Sequence, residues 1–118
     1  MSDYLPKFTG PYTQTATAAV VGGRIVTAGG AVAGANATDF VGIASKDAKV
    51  GESYTVFSGP VERPQAAGPL AKSTLVKCAA NGQVTTFVDG TDAVTRLVGV
   101  TLEAAANAGD KVAVHWFR

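Results

Sequence analysis

The residues able to move a proton or hold an ion are few and scattered: one histidine (His115), one cysteine (Cys78), the turn Asp89-Gly90-Thr91-Asp92, and serines such as Ser45, Ser53, Ser58 and Ser73. Acid–base catalysis needs groups that converge with tuned proton affinities. His115 lies between Val114 and Trp116 in an alternating run, which predicts a structural or interface imidazole rather than a general base. No G-x-S-x-G turn presents a serine as nucleophile. Cys78 sits in the strand-like run LVKCAA, where a thiol behaves as a small hydrophobe, and Lys77, the cation that would activate it, projects to the opposite face. The two aspartates fall far short of a twelve-residue calcium loop, and Asp-Gly reads as a turn. The pairs Gly22-Gly23 and Gly29-Gly30 match neither phosphate-binding motif, and no helix follows them. Catalytic residues, metal ligands and a bound cofactor are therefore not expected.

Charge points the same way. The formal net charge is +1 and only 16% of residues are charged, against 47% hydrophobic, so no long-range field draws in nucleic acid or an anionic membrane. Basic residues alternate with acids, as in Lys46-Asp47, Glu62-Arg63 and Asp110-Lys111, instead of forming a stripe. No run approaches the roughly 20 apolar residues that span a bilayer, and MSDYLPKFTG lacks the pattern of a secretory signal. Synthesis in a cytosol is expected, with neither nucleic acid nor membrane as partner. A single cysteine forms no intrachain disulfide, so stability must come from packing or association.

The elements that would position any site read as all-β. Short Val/Thr/Ile runs broken by Gly, Pro and Asn predict strands near 23–28, 39–45, 53–58, 73–79, 83–88, 96–102 and 111–117. Asn81-Gly82 predicts a tight hairpin. The three prolines in PVERPQAAGP (60–69) predict an extended connector rather than a central strand. Residues 1–20 read as an extended N-terminal arm and 21–118 as the folded domain.

The domain is internally duplicated. VGIASKDAKVGESYTVF begins at Val41 and VGVTLEAAANAGDKVAVHW at Val98, with Gly42 and Gly99 lying 57 positions apart (99 against 42). Arg24-Ile25-Val26 corresponds likewise to Thr74-Leu75-Val76. Such a duplication predicts a small barrel or sandwich. Period-2 alternation places Val98, Val100 and Leu102, and Val112, Val114 and Trp116, inward. It turns Gly99, Thr101, Ala113, His115 and Phe117 outward, together with Thr55, Phe57 and Gly59. Outward Phe57, His115 and Phe117 are expected to lie at an interface with subunits or a host surface, since exposed aromatics ask to be covered.

The order of these elements, a VGI or VGV strand, an Ala-containing loop closed by Gly-Glu or Gly-Asp, a V-x-V strand, PQAAGP and an A-N-G hairpin, resembles the capsid decoration, or cement, proteins of tailed bacteriophages over about residues 23–118. The resemblance implies a β-tulip-like domain similar to lambda-type head decoration proteins. It implies a structural, non-enzymatic role on the outer capsid surface of the virion, where such proteins stabilise the expanded head by cementing neighbouring capsomers. The major capsid protein is the implied partner, and a homotrimer at three-fold positions the implied assembly. The arm then supplies reach, on the order of 60 Å for twenty extended residues. Tyr4, Leu5, Phe8 and Tyr12 are its expected anchors, and Thr13, Thr15 and Thr17 the stretch able to add a strand to a capsid edge. An alternative reading is a carbohydrate- or host-surface-binding β-module, which would require aromatics and amides lining one cleft.

Overall fold

The computed structural model describes residues 12–117. Nine strands run through them: β1 (Tyr12–Thr15), β2 (Ile25–Thr27), β3 (Phe40–Ala44), β4 (Ser53–Phe57), β5 (Val61–Glu62), β6 (Leu75–Cys78), β7 (Val84–Thr86), β8 (Leu97–Thr101) and β9 (Val114–Trp116), with short 3-10 turns at Ala80–Gly82 and Val94–Arg96. All named strand pairs are antiparallel. They form two sheets, ordered β1-β4-β3-β2 and β5-β9-β8-β6-β7. Each sheet curls into a half-barrel. Its ends meet where Thr17 N–H donates to the Gly30 carbonyl in the first unit and Ala67 N–H to the Val84 carbonyl in the second. The all-β, barrel-like class is the one expected.

The duplication reaches further than the sequence comparison did. Up to β2 and β6 the units are offset by 50 positions (16 against 66), and afterwards by 57 or 58 (48 against 105, 52 against 110). Backbone hydrogen bonds repeat at those offsets. Ala16 N–H to Glu52 C=O recurs as Ala66 N–H to Asp110 C=O, and the reciprocal pair Val20–Ala48 recurs as Leu70–Ala105. The register irregularity between Val26 and Thr27 reappears between Val76 and Lys77. Each unit fills its own interior. Ala16, Val20, Val26, Ala44, Ala48, Tyr54 and Val56 pack together in the first. The matching positions, Ala66, Leu70, Val76, Thr101, Ala105, Val112 and Val114, are buried in the second. Thr101 stands where the first unit has Ala44. Its hydroxyl donates to Ala71 C=O and accepts from Thr74 N–H, both at 2.8 Å, so the buried oxygen is satisfied.

One larger cluster joins the units. Ile25, Ala33, Phe40 and Ile43 from the first pack against the interior of the second. Phe40 meets Trp116 edge-on, with centroids 5.9 Å apart. Backbone bonds from Asn36 N–H to Cys78 C=O and from Gly82 N–H to Ala33 C=O stitch the same junction.

Two expectations are corrected, the arm boundary and the phase of the last strands. Residues 12–20 belong to the folded body rather than to an arm: β1 pairs with β4 in full register, and Ala16 and Val20 are buried. TQTAT adds a strand to its own sheet. The proline-rich connector is extended and forms no central strand, as expected; within it Val61–Glu62 pairs at the sheet edge against β9. The flanking prolines are tolerated because Pro60 and Pro64 serve through their carbonyls, accepting from Trp116 and Val112 N–H. In β8 the alternation is opposite to that expected beyond Val98. Gly99 and Thr101 are buried opposite Trp116 and Val114, whereas Val100 is half-buried and Leu102 exposed. The outward face there is apolar, which defeats a reading that equates apolar with inward. Ala113 is also buried rather than outward.

Gly42 and Gly99 occupy matching places where the next strand's backbone crosses at contact distance. A Cβ on Gly42 would strike the Phe57 carbonyl, and one on Gly99 the His115 carbonyl. Neither obstacle is a flexible side chain. Gly99→Ala and Gly42→Ala are each expected to lower unfolding free energy by about 1–3 kcal/mol, in line with overpacking elsewhere. Chemical denaturation checks this; an unchanged midpoint for both would contradict the close approach.

Candidate functional site

The chemistry-bearing residues do not converge. Cys78 is buried in the inter-unit core. His115 is exposed on the outer face of β9, opposite Val61 of β5 and Val100 of β8, with its ring edge-on to Phe117 at 5.9 Å. Ser45 accepts from the Thr55 N–H in the first unit, while Ser73 lies in the second. Among the described residues no cluster of three or more His, Cys, Asp or Glu is placed to hold a metal ion. The glycine pairs sit in turns, with Gly23 and Gly30 at positive φ, and Gly30 lies against the backbone of Thr15.

Asp92 does hold cations, but internal ones. Its carboxylate accepts from Lys77 Nζ at 2.7 Å, Arg96 Nη1 at 3.2 Å and the Val88 N–H at 2.8 Å, and its side chain is 4% exposed. The group fastens the 88–96 loop to β6. That loop belongs to the longer connection of the second unit (79–96, against 28–39 in the first). The Lys77 hydrogen bond, then the Val88 amide, pull the Asp92 carboxyl below the usual carboxylate range.

What remains is surface. Phe57 and Phe117 are 43% and 48% exposed, as the strand alternation predicted for them. Of the expected arm residues, Tyr4, Leu5 and Phe8 lie outside the described residues. Tyr12 is half-buried against the first unit's interior, and burial raises its phenol pKa. Thr13 and Thr15 are exposed on the edge strand β1. Thr17 directs its hydroxyl to the Gly29 carbonyl at 2.7 Å, closing the half-barrel. Gln14, one of the amides a glycan site could draw on, donates instead to the Thr27 and Ala28 carbonyls and accepts from the Tyr54 hydroxyl. Sequence reasoning missed the apolar row that runs across the outer face of the second sheet, Val61–His115–Val100–Leu75. Its signal was present in Val100 and Leu75, which alternation had assigned to the core or left unassigned.

The body is thus two filled half-barrels with apolar side chains on their outer surface, the form of a small structural β protein. Residues 6–116 match the phage cement protein family, and the chain belongs to it. Membership places it with capsid-associated structural proteins of the virion. The fold is shared with the N base of the head fiber gp8.5 of bacteriophage phi29, at 19% identity and a TM-score of 0.70, over 90% of this chain and 92% of that one. No curated protein sequence matches.

The ionic anchor makes a pH prediction. A carboxyl whose folded pKa is depressed stabilises the fold above its unfolded value, and that contribution is lost as pH falls through the folded value. Asp92→Asn should melt below the wild type at pH 7, and the gap should close progressively below about pH 4. Thermal melts across that range check it; a gap that persists or widens in acid would contradict it.

Proposed function

We propose that this protein binds the outer surface of the expanded phage head, bridges neighbouring capsomers and so stabilises the shell, acting as a homotrimer at three-fold positions against the major capsid protein. Family membership supports the capsid-associated role. The observation that carries the finer reading is the apolar exterior. Phe57, Phe117, Val61, Leu75 and Leu102 are all more than a third exposed on a body whose own core is already filled. Covering such residues with a partner releases water from apolar surface and supplies binding energy.

The mechanism is one of rigid bridging. The two half-barrels share one core cluster and inter-unit backbone bonds, which resist bending of one against the other. A ligand that binds only the expanded lattice stabilises that lattice by mass action, and many copies make modest affinity sufficient. Residues 1–11 carry Tyr4, Leu5 and Phe8 as capsid anchors, and fully extended they reach roughly 35 Å beyond β1. Thr13 and Thr15 present the edge of β1 beside them.

Deleting residues 2–11, which leaves β1 intact, should lower occupancy on expanded, undecorated heads by about tenfold or more, the loss expected when anchors contributing at least ~1.4 kcal/mol are removed. Quantitative gel analysis of purified heads reads the occupancy, with circular dichroism verifying the fold. Wild-type occupancy by the truncated chain would refute the anchoring role.

A further inference from the structure

The interiors of the two half-barrels are filled in different ways. The second receives the first: Ile25 and Ile43, on the outward face of β2 and β3, belong to the same buried cluster as Leu70, Val76, Val112 and Val114, which line the interior of the second unit. Among the described residues the first interior is filled from within, by Ala16, Val20, Val26, Ala44, Ala48, Tyr54 and Val56, with Tyr12 and Val41 packed against them. One half-barrel holds a neighbouring unit and the other does not.

The matching positions show why. Tyr54 corresponds to Val112 (54 against 112), and Gln14, opposite it on β1, corresponds to Pro64 (14 against 64). Of the paired interior positions, Tyr54 and Val112 are the one pair in which the first unit carries the larger side chain. Tyr54 is buried, and its hydroxyl donates to Gln14 Oε1 at 2.9 Å. Gln14 in turn donates from Nε2 to the Thr27 carbonyl at 3.2 Å and the Ala28 carbonyl at 2.8 Å. Since β1 and β2 are the two edges of the first sheet, this amide ties edge to edge with the ring of Tyr54 fastened to it. The second unit has neither group, because Val112 is short and Pro64 has no side-chain amide. There the carbonyl matching that of Ala28, on Cys78, accepts from the Asn36 N–H of the first unit. The same acceptor is satisfied by its own unit in one case and by the incoming unit in the other.

A face like the one that fills the second interior is present again on the second unit. Leu75, Val100 and His115 stand opposite one another across β6, β8 and β9, at the positions matching Ile25, Ile43 and Phe57. Leu75 is 37% exposed, His115 exposed and Val100 half-buried. With an open first half-barrel, every chain would carry both halves of the internal junction, and repetition between copies would give a heterologous series.

We propose that Tyr54, latched by Gln14, is a built-in stop: its ring fills the space in the first half-barrel that, in the second, receives the outward face of another unit, and so keeps the face through Leu75 of a second copy from docking there. The exclusion is steric, as in other devices that specify against unwanted association. The stop is a property of the internal junction and holds whether or not the chain binds heads.

Replacing Tyr54 by its second-unit counterpart tests it. By analytical ultracentrifugation, full-length Tyr54→Val should reach about twice the wild-type mass or more as its concentration is raised, since a heterologous series grows by whole copies. Adding Leu75→Glu to the same chain should restore the wild-type mass. Tyr54→Phe keeps the ring and should sediment as the wild type. Circular dichroism verifies the fold, and Tyr54→Leu, which removes the ring but less volume, carries the same expectation where Tyr54→Val is unfolded. A folded Tyr54→Val or Tyr54→Leu chain that sediments as the wild type overturns the proposal. Association that survives Leu75→Glu, or that Tyr54→Phe shows equally, overturns it too. Loss of the fold in both ringless variants makes the ring a requirement of the core and overturns its reading as a stop.

Discussion

Burial of Ile25, Ile43 and Phe40 beneath the second half-barrel is the contact on which the rest of the structure depends. Either unit alone is a curled sheet of about fifty residues, close to the size at which a single core is marginal. Joined, they share fourteen buried residues in one cluster, while a smaller cluster fills the first unit. The junction admits no substitution by polar groups without cost, and two backbone bonds, Asn36 N–H to Cys78 C=O and Gly82 N–H to Ala33 C=O, cross it, the second satisfying the amide of buried Gly82.

Duplication explains the architecture, and the places where the copies diverge locate the specialisations. Where the first unit turns tightly at Thr27–Gly30, the second carries the Ala80–Gly82 tip that reaches across the junction, then β7 and the loop fastened by Asp92. Where the first has Phe57, the second has His115. Matching backbone, hydrogen bonds and interior positions supply the scaffold; unlike loops and outward side chains decide which faces are sealed within the chain and which remain open. The proposed role needs such open faces on a body that does not deform when they are engaged.

Much of this was legible in the sequence, and the failures have physical causes. Seven strands were anticipated because their Val/Ile/Thr runs are bounded by Gly, Pro and Asn, and Asn81 and Gly82 both adopt the positive φ that the hairpin reading required. The β1 strand was hidden because YTQT is polar on one side and lies beside two prolines, so it looked like a tail; only its pairing with β4 shows that it is the counterpart of the β5 edge. The prolines at 60 and 64 disguised β5 for a related reason, since they contribute acceptors and no donors. The phase of β8 was misread because hydrophobic alternation identifies the inner face only when the outer face is wetted, and here Val100 and Leu102 point outward. Exposure of Phe57 and Phe117 was readable because each sits out of phase with an unambiguous buried neighbour, Val56 and Trp116.

The central claim is that a rigid pair of half-barrels functions through contact with the assembled shell. Cryo-electron microscopy of empty expanded heads incubated with the purified chain tests it most directly. The account predicts ordered density on the outer lattice, spanning the joints between capsomers at three-fold positions, with the first and second half-barrels resolved in the same relative orientation as in the free chain. Bare heads at saturating protein concentration, or density confined to single capsomers away from their joints, would contradict it.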